Sequence, residues 1–266
     1  MEDIIILKEI SASVSNGQPV AMSIITKACG SSPRGEGTLM GVLEDGSVIG
    51  TIGGGALENN LIQLSKEALK NKRDTYFTHS LTEDNKELNM ACGGLVEGYI
   101  KIIEPRKQLL IIGGGHISKE LHYLAARMDY NVVIFEDRED YCSKTRFPMA
   151  EKLILGDIKE NLNKYKIDES CSVVIVTRGH VLDETALQCV LSSKASYIGM
   201  IGSKKKVFST MESLKNKGYA QERLMEVYAP IGLDLGGSSP KEIALGIMAE
   251  ILLVNNKGKL KHKNDN

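Results

Sequence analysis

Tryptophan is absent from this 266-residue chain, and aromatic residues make up only 5% of it. That leaves few platforms on which bases could stack. Neither sign of charge is in excess. The 33 Lys and Arg against 34 Asp and Glu leave a net charge of −1, which argues against nucleic acid as the main ligand. No apolar run approaches the roughly 18 uninterrupted residues of a membrane span, and the longest one near the C-terminus, residues 243–254, is broken by Glu250. The N-terminus reads Met1-Glu2-Asp3, acidic where a secretory signal is basic. Cysteines number five and include no Cys-x-x-Cys pair, so neither a disulfide framework nor a zinc ribbon is expected. These absences predict a cytoplasmic protein with free thiols and with no nucleic acid or membrane partner.

Apolar residues, at 42%, and charged residues, at 25%, have the proportions of a globular protein. Glycine is over-represented, with 26 residues, and most of the excess falls in three short clusters.

The pattern changes near Pro105. Residues 3–14 place Ile6, Leu7, Ile10 and Val14 on one helical face. Residues 20–27, 38–43, 47–52, 75–79 and 95–103 read as strands, with Glu44-Asp45-Gly46 as a hairpin turn. Residues 56–70 read as a helix. An α+β domain is therefore expected over residues 1–104. Beyond it, short apolar runs at 109–112, 132–135, 153–155, 173–176 and 197–200 alternate with helical patterns. That alternation predicts parallel βαβ units and a Rossmann-like, doubly wound sheet over residues 105–256. Residues 141–150 form the least regular crossover, and 257–266 are a polar tail. Ser239-Pro240-Lys241-Glu242 is a capping box opening a helix. Its broad apolar face, Ile243, Ala244, Ile247, Met248, Ile251 and Leu252, is expected to pack on a core or a partner subunit.

Gly113-Gly114-Gly115-His116-Ile117-Ser118 follows a predicted strand and opens a predicted helix, the context of a dinucleotide-binding turn. Gly113 suits the tight turn, and Gly115 lets backbone approach a phosphate at the helix N-terminus. The sixth position is Ser118, where Gly or Ala is usual. Glu136 and Asp137 end the second strand, where an acid accepts hydrogen bonds from ribose hydroxyls. Two readings stay open: a nucleotide or other phosphate-bearing ligand, and a Rossmann-like turn that holds none. In a doubly wound sheet the fourth strand returns beside the first. Thr177-Arg178-Gly179-His180 is thereby expected to face the Gly113–His116 loop across one crevice, where Arg178 and His180 join His116 as candidate ligand-binding residues.

In the first half, Arg34 is the cation of a Gly-rich loop over residues 30–37. Gly53, Gly54 and Gly55 sit between a strand and a helix, where backbone approaches either a phosphate or another strand. Cys92, followed by Gly93 and Gly94, is the thiol whose neighbours leave it most accessible. Cys29, Cys142, Cys171 and Cys189 lack comparable surroundings. No complete catalytic constellation is identified.

Several stretches resemble the XdhC/CoxI family of xanthine dehydrogenase accessory factors. In the first half these are Gly30-Ser31-Ser32-Pro33-Arg34, residues 50–58 and Met90-Ala91-Cys92-Gly93-Gly94. In the second half they are Gly113-Gly114-Gly115-His116, Glu136-Asp137-Arg138, Thr177-Arg178-Gly179-His180, residues 197–203 and residues 229–234. The matches run in order over most of the chain. The resemblance implies a chaperone that binds the molybdopterin form of the molybdenum cofactor. Such a protein holds it while a cysteine desulfurase supplies sulfur, and delivers it to a molybdenum hydroxylase such as xanthine dehydrogenase. It implies that Cys92 is the thiolate for the metal or for sulfur handling. Where some relatives carry two adjacent cysteines, this chain has Ala91 before Cys92. A homodimer is expected, and the two halves are expected to serve one composite site. Two other classes compete: an NAD(P)-dependent oxidoreductase using the Gly113 crevice, and a scaffold that recruits the desulfurase without holding cofactor.

Overall fold

A computed structural model of the protein describes residues 2–29, 34–80, 94–262 and 264. The chain separates into two compact units, Met1–Pro105 and Arg106–Asn266.

The first unit is an antiparallel sheet with a helix on each face. Its elements are α1 (Glu2–Ser15), β1 (Val20–Cys29), β2 (Leu39–Leu43), β3 (Val48–Gly50), α2 (Gly55–Asn71), β4 (Thr75–Ser80) and β5 (Leu95–Ile103). The strand order is β3-β2-β1-β5-β4. Alternation along the strands sorts the apolar side chains. Ala21, Ile25, Val96 and Ile100 pack with Leu57 and Leu61 of α2, whereas Val20, Leu39 and Ile49 pack with Ile6 and Ile10 of α1. Asp45 accepts from the Ser47 N–H at 2.8 Å and stabilises the hairpin turn between β2 and β3.

The second unit is a parallel sheet. It comprises β6 (Gln108–Ile112), α3 (His116–Arg127), β7 (Asn131–Glu136), β8 (Lys152–Leu155), α4 (Ile158–Lys164), β9 (Cys171–Ile175), α5 (His180–Val190), β10 (Tyr197–Met200), α6 (Lys204–Asn216), α7 (Gln221–Met225) and α8 (Pro240–Asn255). The order β10-β9-β6-β7-β8 places the fourth strand of the unit, β9, beside its first, β6, as the doubly wound reading requires. The central strands are buried on both faces, which is why they read as unbroken apolar runs. Leu110, Val133 and Val173 face α4, α5, α6 and α7. Leu109, Val132 and Val174 face α3 and α8.

The irregular crossover between β7 and β8 begins with a 3-10 turn at Glu139–Tyr141. Phe147 and Ala150 bury their side chains in the same core as α3 and α8, so the segment is irregular in backbone and anchored in packing. The capping box at Ser239 and Glu242 forms, with Pro240 in the first turn. The apolar face of α8 is used within the unit: Ala244, Ile247, Met248 and Ile251 are fully buried in the core shared with α3. The last helix therefore supplies no argument for a dimer.

Candidate functional site

Where β6 ends, Gly113 turns the chain with φ +109°, and a β-carbon there would lie 2.5 Å from the Val176 carbonyl oxygen. Only glycine fits, because the loops after β6 and β9 touch at this point. Ser118, the departure from the usual fingerprint, is buried and donates its hydroxyl to the Gly113 carbonyl at 2.5 Å. The hydroxyl ties the first turn of α3 to the loop it leaves.

Helices α3 and α5 begin on these two touching loops. Gly115 and Gly179 are their N-caps, both extended and neither offering a side chain to the first turn. By contrast Asp157, Ser203 and Ser239 cap α4, α6 and α8 through their side chains. The exposed His116 and His180 occupy the first helical positions, one on each helix. Two helix N-termini thus open on the same edge of the sheet, each with the first-turn N–H groups that favour an anion.

The acids are already engaged. Glu136, 2% exposed, accepts from the Gly114 N–H at 2.5 Å. It also accepts from the Asp137 and Arg138 N–H groups, both at 3.1 Å, and from the Arg138 guanidinium at 2.8 and 3.1 Å. Burial pushes this carboxyl up, but Arg138 and the surrounding donors outweigh it and hold the carboxyl at about 2. Asp137 moves the other way: its hydrogen bond with the Glu136 carboxyl raises it, and burial adds to that, against the pull of Arg178. Arg178 donates to Asp137 at 2.8 Å. Arg138 lies 3.8 Å over the Tyr141 ring, and Arg146 donates to the Gly114 carbonyl at 2.7 Å. The cavity enclosed by Gly113, Glu136, Asp137, Arg138, Thr177 and Arg178 holds about 10 Å³, room for about one water.

The base of the Thr177–His180 loop is pinned from below. Asp183, fully buried in the first turn of α5, accepts from the Thr177 N–H at 3.1 Å and from its hydroxyl at 2.6 Å. Lys206 of α6 pairs with the other Asp183 oxygen. Neither residue stands out in the sequence. A signal is present nonetheless: Lys204-Lys205-Lys206 places positive charge on the positive end of α6, where no acidic residue occupies the first turn. Such a charge calls for a carboxylate from elsewhere.

In the first unit, Gly53, Gly54 and Gly55 all take positive φ, and a β-carbon at Gly54 or Gly55 would meet nothing within 4 Å. Backbone conformation, and not a crowding strand, requires glycine there. Glu58 turns back into this loop. It accepts from the Gly54 N–H at 3.0 Å, from the Ile52 N–H at 3.2 Å, and from the Thr51 hydroxyl. The chain's own carboxylate thus occupies amides of both glycine turns, Glu58 in one unit and Glu136 in the other. Arg34 makes a two-pronged ion pair with Glu2, at 3.0 and 3.3 Å. Gly94 precedes β5, whereas Cys92, Gly93 and residues 30–33 lie outside the described residues. Among the described residues no three His, Cys, Asp or Glu side chains gather as a metal site, and no helix is long and apolar enough to cross a membrane.

Of the residues expected to bind a ligand, Gly113, Gly115, His116, Asp137, Arg178 and His180 come together at the C-terminal edge of the second unit's sheet. Residues 109–251 match the XdhC Rossmann domain, and residues 13–80 match the XdhC and CoxI family. The chain belongs to the XdhC/CoxI family. It is 30% identical over 243 residues to the uncharacterised protein YqeB of Escherichia coli (strain K12), covering 90% of this chain and 44% of that one. It is also 30% identical over 154 residues to a probable xanthine dehydrogenase subunit of Bacillus subtilis (strain 168), covering 58% of this chain and 44% of that one. The chain thus spans less than half the length of both relatives. A crystal structure of a xanthine dehydrogenase from Bacillus halodurans has the same fold, with a TM-score of 0.53 at 20% identity over 97% of this chain and 98% of that one.

Proposed function

We propose that this XdhC/CoxI chain is an accessory protein of a xanthine dehydrogenase-type enzyme, and that its cargo is the molybdenum cofactor. The observation that carries the reading is the pair of helix N-termini without side-chain caps, α3 and α5, opening on adjacent loops beside Arg178. Molybdopterin ends in a phosphate, and N–H groups at a helix start together with a guanidinium are the donors such a group takes. The other end of the cargo is a metal dithiolene. Cys92 supplies a soft thiolate suited to that metal or to sulfur on its way to it. A cysteine desulfurase and a molybdenum hydroxylase are the partners this role requires.

The acid that ends β7 does not favour a nicotinamide dehydrogenase: a ribose acid must offer free lone pairs, and Glu136 spends its own on Gly114, Asp137 and Arg138.

The protein co-expressed with the cofactor pathway should retain molybdenum and a fluorescent oxidised pterin through gel filtration. Cys92→Ala should lose most of both, with an unchanged circular dichroism spectrum. Equal retention by the variant would remove Cys92 from the site, and a wild-type protein free of pterin would remove the cargo.

A further inference from the structure

Asp137 and Arg178 belong to different loops. Asp137 directly follows β7 and Arg178 follows β9, and β6 runs between those two strands. Their 2.8 Å ion pair therefore crosses the end of β6, over Gly113, at the switch point of the sheet. Both residues line the cavity of about 10 Å³ beside Gly113, which is too small for a phosphate. The two partners are unequally fixed. The root of the Arg178 loop is held by Thr177, Asp183 and Lys206, but the Arg178 side chain is 51% exposed, against 26% for Asp137. Asp137 is flanked by Glu136, whose carboxylate is already held by Arg138, and its other oxygen lies 3.8 Å from the same guanidinium, which helps to fix it.

We propose that the Asp137–Arg178 pair is a strap across the crevice, in which Asp137 stands in for the phosphate group of a ligand. An incoming phosphate takes Arg178 from Asp137 and gains the N-termini of α3 and α5, and the crevice opens as the pair parts. The exchange is chemically even, one anion for another on the same guanidinium. Binding is consequently weaker than the donors alone would give, because the pair must first be broken. This inference rests on the reading of the crevice as a phosphate seat, and it does not depend on which molecule carries the phosphate.

Inorganic pyrophosphate and ADP are the probes, titrated calorimetrically into the full-length wild type, Asp137→Asn, Arg178→Gln and the double variant. Removing a negative charge strengthens phosphate binding by simple Coulomb attraction, so the single variant alone does not decide. The cycle does. Asp137→Asn should tighten pyrophosphate binding about fivefold more in the wild-type background than in the Arg178→Gln background, where the Coulomb gain remains but the Arg178 guanidinium is no longer there to release. A gain of equal size in both backgrounds overturns the strap while leaving the phosphate seat. A loss of affinity in Asp137→Asn overturns the strap, and a loss confined to ADP makes Asp137 a ligand of the sugar. Absence of binding by all four proteins overturns the seat and the strap together. Within a supported strap, ADP binding far more tightly than pyrophosphate identifies the phosphate carrier as a nucleotide. Equal affinities fit a phosphate without a nucleoside, as on a pterin. Melting temperatures within a few degrees of one another confirm that the four proteins are equally folded.

Discussion

His122 shows how one residue can set a pH limit on the fold. It is fully buried on α3, with its ring 4.0 Å from that of Tyr123 and edge-on to Phe147 at 5.1 Å. Nδ1 meets the Lys119 carbonyl, and Nε2 is buried without a partner. Burial lowers its pKa below the ordinary 6.5. The unfolded chain therefore takes up a proton near 6.5 that the native ring refuses. Stability is fully present above that value and is lost as pH falls toward the lower native pKa. His122→Leu removes the titrating group and keeps an apolar side chain of similar bulk. Denaturant unfolding at pH 7 and pH 5 should show a smaller loss for the variant than for the wild type. Identical losses would place the acid sensitivity elsewhere.

At the scale of elements, the strands and helices of the second unit were legible because β6, β7, β9 and β10 are short apolar runs buried along nearly all their length, and the longer helices between them show one apolar face. The capping box at Ser239 was equally plain, since its partners are three residues apart. The site was only half legible. Gly113 and the loop after β9 follow from strand order. The engagement of Glu136 by Arg138 and Gly114, and that of Asp183 by Lys206, depend on side chains brought from separate elements, and no periodicity encodes them. Nor does the run Glu136-Asp137-Arg138 announce that Arg138, two residues on, folds back over Glu136. These two kinds of feature should differ in energetic weight. Ser239→Ala removes one cap and should cost about 1 kcal/mol. Asp183→Ala breaks a buried pair and strands the Thr177 N–H, for which about 3 kcal/mol is expected. Hydrogen exchange of the β9 and β10 amides in the two variants measures both. A smaller cost for Asp183→Ala than for Ser239→Ala would mean that the loop base is held by packing and not by its carboxylate.

For the whole molecule, the telling fact is that each unit owns its core. The first unit closes around Ile25, Leu61 and Ile100 on one face of its sheet and around Ile6, Ile10 and Ile49 on the other. The second closes around Leu110, Val173 and Leu187 on one face and around Ile111, Leu121 and Ile247 on the other. Burial of this kind is what stabilises a cooperative unit, so two complete sets predict two opening reactions. Ile100→Ala and Leu187→Ala each delete a fully buried side chain and should each lower stability by about 2–5 kcal/mol. Native-state hydrogen exchange assigns that loss to amides. With Ile100→Ala the slow amides of β1 and β5 should exchange faster while those of β6 and β9 keep their wild-type opening free energies, and Leu187→Ala should give the converse. Equal losses throughout both sheets in either variant would show one cooperative unit. In that case the strap over Gly113 would report on the stability of the whole chain, and the Asp137 and Arg178 variants would shift exchange in β1 and β5 as well.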